Sequence, residues 1–114
     1  MKLFYSQIVK RKLKILKRQL TLQFDEATAL KGIKAITTAV RGLEKYPYRG
    51  LALSDMYDID TDFRYLYIKH NYIFYYVEEE RIIIAELFDE REDFIYKLFG
   101  ISSRSQESID YWGE

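Results

Sequence analysis

The periodicity of the chain changes at Gly50, and this change restricts the fold to a helical layer followed by a sheet. Before it, Val9, Leu13, Leu16 and Leu20 follow steps of four, three and four, and Leu30, Ile33, Ile36, Val40 and Leu43 repeat the helical period. Each set therefore forms one apolar stripe along a helix. Ser6 and Asp25 precede the two stripes, where a side-chain oxygen can accept from the unpaired N–H groups of a first turn. Pro47 follows the second stripe, and the short link between the helices predicts a hairpin. Lys2 to Tyr5, ahead of both, reads as a first strand. After Gly50 the chain turns to Tyr, Phe and Ile, which pack well on a pleated surface. Leu51 to Tyr57 is a weaker strand candidate, while Phe63–Lys69, Tyr72–Val77 and Ile82–Phe88 are stronger. Turns are expected at His70–Asn71 and at Glu78–Glu80. Asp89 is expected to cap a last helix, with Phe94, Ile95, Leu98 and Phe99 facing inward and Gly100 ending it. The expected fold is α+β: an N-terminal strand, a helical hairpin packed on an antiparallel sheet, and a short C-terminal helix. It occupies residues 1–101, and Ser102 to Glu114 is a polar tail. Tyr111 and Trp112 in that tail are expected to dock on the protein or on its partner.

At 114 residues and 48% hydrophobic content, the chain suffices for one core and leaves no room for a second domain. With 0 Cys it offers no thiol nucleophile, thiolate metal site or disulfide framework. Lys2, Lys10, Arg11 and Lys12 interrupt the N-terminus too early for a signal peptide. No run approaches the roughly 20 apolar residues of a membrane span, so a cytoplasmic domain with no membrane partner is expected. Charge is balanced overall but split along the chain. Residues 1 to 49 hold 12 of the 18 basic and 3 of the 18 acidic residues, giving +9 against −9 for the remainder. The run Lys10, Arg11, Lys12, Lys14, Lys17 and Arg18 reads first as the solvated face of a helix and second as a phosphate-binding patch.

Sequence patterns exclude several chemistries. Asp58, Asp60 and Asp62 resemble the opening of a calcium loop, but Phe63 and Lys69 stand where such a loop needs glycine and a bidentate glutamate. His70 is the single histidine, so a two-histidine metal motif cannot form. The glycines make no phosphate-cradling loop, and no cofactor or metal is implied. What remains is a set of cations and phenols, namely Arg64, Lys69, Arg91 and Tyr96 with the strand tyrosines. Metal-free RNA cleavage needs parts of this kind: a base, a cation for the phosphorane and an acid for the leaving oxygen.

The helical hairpin ending in "LEKYPYRG", the strand pair "DTDFRYLYIKHNYIFYYV", the strand "RIIIAELF" and the closing "DEREDFIYKLFG" occur in an order that resembles the RelE/ParE family of bacterial toxins. The resemblance runs from Lys2 to Ile101. It implies the toxin of a type II toxin–antitoxin module, of the kind that stabilises plasmids, which inhibits growth until a cognate antitoxin neutralises it. Two modes follow from it. RelE-like members are metal-independent endoribonucleases (mRNA interferases) that cut mRNA on the ribosome, whereas ParE-like members bind DNA gyrase without cleaving anything. A catalytically inactive binding module is a third outcome. The nuclease pattern assigns catalytic positions to Arg64, Arg91 and Tyr96, with Lys69 and His70 as weaker candidates. Leu66 stands where that pattern has lysine, and Ile73 where it has arginine. An antitoxin offering acidic and apolar groups is expected, matching the basic first helix and the side chains of Leu66, Ile73 and Tyr75 if these lie on a sheet face that the hairpin leaves open.

Overall fold

The computed structural model describes residues 1–100; the expected tail, with Tyr111 and Trp112, lies outside the described residues. Strand β1 (Lys2–Tyr5) leads into helices α1 (Gln7–Gln23) and α2 (Glu26–Arg41), and α2 tightens into a 3-10 turn at Gly42–Glu44. Then follow β2 (Leu51–Ala52), a one-turn helix α3 (Leu53–Met56), β3 (Arg64–Ile68), β4 (Asn71–Glu78), β5 (Arg81–Asp89) and α4 (Phe94–Phe99). The caps act as their chemistry requires. Ser6 Oγ accepts from Val9 N at 3.1 Å, and Asp25 Oδ1 accepts from Thr28 N at 2.7 Å. The Ser6 hydroxyl also donates to Ala85 O at 3.0 Å, tying the start of α1 to β5.

The five strands lie in the order β1-β5-β4-β3-β2. All neighbours are antiparallel except β1, which runs parallel to β5 with Lys2 opposite Arg81 and Tyr5 opposite Ile84. The helical hairpin carries the chain from β1 at one edge of the sheet to β2 at the other, and the chain returns through β3 and β4 to reach β5 beside β1. Both faces of the sheet are covered. On the hairpin side Val9, Ile36 and Val40 pack on Leu66, Ile73, Tyr75, Ile82 and Ile84. On the other side Tyr65, Phe74 and Phe88 meet Leu53 and Ile95. Phe94 brings α4 onto that face, its ring 4.9 Å from Tyr72 and 5.0 Å from Phe74.

Several local expectations are corrected. Leu66, Ile73 and Tyr75 are not on an open face but lie buried under the hairpin. Leu51 to Tyr57 is not a strand. Only Leu51 and Ala52 pair with β3, and the chain then enters α3, because Leu, Ala and Met without β-branched neighbours favour a helix. The first sheet turn is Lys69–His70, with Asn71 already in β4 opposite Ile68. Both turn residues have left-handed backbones, φ 50° and 67°, the geometry of a two-residue hairpin whose twist matches the strands. The second turn, Glu79–Glu80, repeats it at φ 50° and 62°, so the conformation belongs to the fold and not to one site. Asp89 does not cap α4. Its carboxylate is taken by Arg91, and Asp93 accepts from Tyr96 N at 3.2 Å instead. Leu30, expected in the core, is 49% exposed because α2 turns Ala29, Ile36 and Val40 inward.

One polar contact joins the loop after α2 to the centre of the sheet. The buried Tyr75 hydroxyl accepts from Gly50 N at 2.8 Å. A Cβ at position 50 would stand 2.6 Å from that oxygen and 2.8 Å from Tyr65 O, so the approach requires glycine. Tyr75→Phe leaves the Gly50 N–H buried without a partner and is expected to cost about 1 to 3 kcal/mol in urea denaturation. An unchanged midpoint would show that the contact contributes nothing.

Candidate functional site

Between the tip of the helical hairpin and the two loops at the far end of β4 lies a cleft of about 580 Å³. Leu16, Leu20 and Phe24 line its helical wall, and Lys69, His70, Asp89, Glu90 and Arg91 line its loop wall. The loops are fastened together. Glu90 N donates to His70 O at 2.8 Å, and the buried Asn71 side chain donates to Lys69 O at 2.8 Å. Sequence reasoning placed Lys69, His70 and Arg91 among the candidates, and the fold does bring these three to one cleft.

Two of these side chains, His70 and Arg91, are engaged with carboxylates. Arg91 Nε donates to Asp89 Oδ1 at 2.8 Å, and its backbone N–H donates to the same oxygen at 2.9 Å. That hydrogen bond from the guanidinium holds the Asp89 carboxyl below its usual range and raises Arg91. Glu90 accepts from the Tyr67 hydroxyl through one oxygen, and its other oxygen is 3.1 Å from His70 Nδ1. A contact with a carboxylate at that distance calls for the proton to be on Nδ1. These two donors, Tyr67 first, lower the Glu90 carboxyl, and Glu90 in turn pushes the Tyr67 phenol up to about 12. Tyr67 is thus a proton donor here, ill suited to act as a base.

The remaining candidates stand elsewhere. Arg64 begins β3, at the opposite end of that strand from Lys69. Its guanidinium donates to Gly50 O at 2.9 Å and Tyr48 O at 3.2 Å and lies 5.1 Å from the Tyr48 ring. These contacts make it a clasp for the loop before β2. Tyr96 is exposed on α4, which packs on the sheet face away from the hairpin. Leu66 and Ile73 face each other across β3 and β4 and are 9% and 1% exposed. Sequence reasoning missed Glu90 and Tyr67 as partners of His70. Tyr67 was one strand tyrosine among several, and only the meeting of the loop after β5 with the Lys69–His70 turn brings Glu90 to it. The basic run of α1 lies outside this cleft, and its Lys12 is taken up by Glu86, the ammonium 2.6 Å from that carboxylate.

Among the described residues no helix is long and apolar enough to cross a membrane, and no three His, Asp or Glu side chains gather as a metal site. Residues 3–94 match the family model for the ParE toxin of the type II toxin-antitoxin system parDE. Among solved structures, the chain is similar to one of the chromosomal ParDE TA system from P. aeruginosa, with a TM-score of 0.67 at 16% identity. The match covers 78% of this chain and 95% of that one, and at such low identity the likeness is one of fold. No curated protein matches the chain.

The depressed carboxyls of Asp89 and Glu90 stabilise the fold above the ordinary carboxylate range, and that contribution is lost as pH falls through their folded values. Tyr67 behaves in the opposite sense. Its contribution is present below the ordinary value of 10.0 and is lost as pH rises toward about 12. NMR titration of ring-labelled tyrosines is expected to show a late component that Tyr67→Phe removes. Loss of a component titrating near the ordinary value would contradict the Glu90 contact.

Proposed function

The chain belongs to the ParE toxin family of type II toxin–antitoxin systems, and from this premise we propose that it arrests growth by binding DNA gyrase and not by cutting mRNA. The observation that carries this reading is the burial of Leu66 and Ile73 beneath the hairpin. A nuclease of the resembling kind needs cations at these two positions, converging on one phosphate with the others. Here the positions are core. Arg64 is spent on two backbone carbonyls, and Arg91 on Asp89. Asp89 and Glu90 also line the cleft that holds Lys69 and Arg91, and their charge opposes entry of a scissile phosphate.

Family membership implies an antitoxin partner. The cleft suits part of it, because Phe24 at its rim is 64% exposed beside Leu16 and Leu20, and a large apolar side chain left in water at a concave site favours an apolar anchor from another chain. The nuclease alternative keeps one observation in its favour, the gathering of Lys69, His70 and Arg91. In that reading these three carry the chemistry, while Arg64 and Tyr96 stand apart from it.

Two assays, one on the purified chain and one on cells expressing it, test the proposal. The purified chain is expected to inhibit gyrase supercoiling, while primer extension after induction shows no new transcript ends. Arg91→Ala is expected to keep its growth arrest, with a thermal midpoint lowered only slightly by loss of the exposed Asp89 contact. Ribosome-dependent cleavage that falls by roughly two to three orders of magnitude in Arg91→Ala would overturn the gyrase reading and establish the nuclease. For the cleft, Phe24→Asp is expected to weaken the antitoxin complex in pull-down by at least roughly tenfold, since it replaces an apolar anchor with a charge. Undiminished capture would place the antitoxin elsewhere.

A further inference from the structure

A second groove, about 740 Å³, runs between the N-terminal half of α1 and the C-terminal half of α2. Lys10, Arg11 and Lys14 of α1, with Gln7, line one side and Arg41 and Thr37 of α2 the other, Tyr5 and Leu13 complete it, and no carboxylate lines it. Helix α1 carries six cations and no acidic residue, and the one acid of α2, Glu26, stands in its first turn at the opposite end of the hairpin. Among the described residues, ion pairs engage Lys12 but none of Lys10, Arg11, Lys14 and Arg41. Glu44, in the 3-10 turn after Arg41, is close enough to act on Tyr5 of the groove, but it forms no ion pair with the lining cations, whose mutual repulsion a polyanion relieves.

The apolar pattern of α1 separates this groove from a protein-binding face. Lys10, Lys14 and Lys17, at steps of four and three, share one side of the helix. Ile8, Ile15 and Leu22, at steps of seven, form a separate exposed stripe, 44%, 46% and 80% accessible, with Arg11 between it and the lysines. A peptide partner gains most from apolar anchors, and none of these three lines the groove. A phosphodiester backbone needs only cations and hydrogen-bond donors, which the groove supplies. We propose that this groove is a docking surface for the backbone of duplex DNA. The choice of DNA over RNA rests on the gyrase reading above, whereas the polyphosphate chemistry does not.

Fluorescence anisotropy of a labelled duplex of about 20 base pairs, titrated with the full chain between about 50 and about 200 mM salt, tests the surface. Four phosphate contacts predict a log–log slope of about −3.6, a loss of roughly a hundredfold in affinity over that range. Lys10→Gln combined with Lys14→Gln is expected to make the slope shallower by about two units with an unchanged thermal midpoint. Lys45→Gln, outside the groove, is expected to leave it unchanged. Absence of binding at the low-salt end, equal effects of the double variant and Lys45→Gln, an RNA duplex bound as tightly as DNA, or displacement by polyglutamate at equal charge would each overturn the proposal. A chain that binds DNA with this slope yet leaves supercoiling untouched removes the gyrase reading and keeps the surface. One that inhibits supercoiling without binding the duplex removes the surface and keeps the reading.

Discussion

Strand β4 is buried on both faces, and the rest of the molecule is arranged to cover it. Ile73 and Tyr75 project into the layer beneath the helical hairpin, while Phe74 between them projects into the aromatic cluster under α4. A strand with large side chains on both sides cannot face water, so two layers must cover one sheet. The long hairpin covers one side. On the other, a helix of six residues suffices because Phe94, Leu98 and Phe99 bring their rings and branches to it. The Tyr75 hydroxyl, the polar end of this buried row, is satisfied by Gly50 N, and so the loop leaving the helical layer is fixed to the sheet it enters.

That constraint limits where function can lie. Positions facing the hairpin are unavailable to solvent, and chemistry is left to the edges: the cleft at the hairpin tip, the groove between the helices and the turns. The cleft holds cations and carboxylates in contact, a poor arrangement for stabilising a phosphorane and a workable rim for a protein partner. The groove holds cations alone. The charge split of the sequence thus becomes a split between layers, with the helices carrying the positive charge and the sheet turns, such as Glu78 to Glu80, much of the negative.

The sequence was most readable where a local signal is also the physical cause. Ser6 and Asp25 cap helices because their oxygens reach the first-turn N–H groups, and this depends only on neighbours. The three long strands were legible for the same reason. Pairing partners were not, since the parallel docking of β1 on β5 joins residues almost eighty positions apart. The segment after Gly50 misled because two residues of ladder are enough to hold it before helix-forming residues take over. Asp89 met every local requirement of a cap and lost the role to Asp93, because Arg91 two residues on competes for the same carboxylate. The site was half legible. Lys69, His70 and Arg91 were named by type, but only the meeting of two loops in space shows that Glu90 joins Tyr67 to His70. Which sheet face Leu66 and Ile73 occupy could not be read from alternation, since both faces of β4 are apolar.

The central claim is that the two positions where a nuclease would carry cations belong to the core of this protein. Ile73→Arg measures it directly, by equilibrium urea denaturation beside the parent chain. Burying an unpaired guanidinium where Ile73 is 1% exposed predicts a loss of roughly 3 to 5 kcal/mol or outright failure to fold. A variant that folds with the parent's stability and cleaves mRNA would contradict the account.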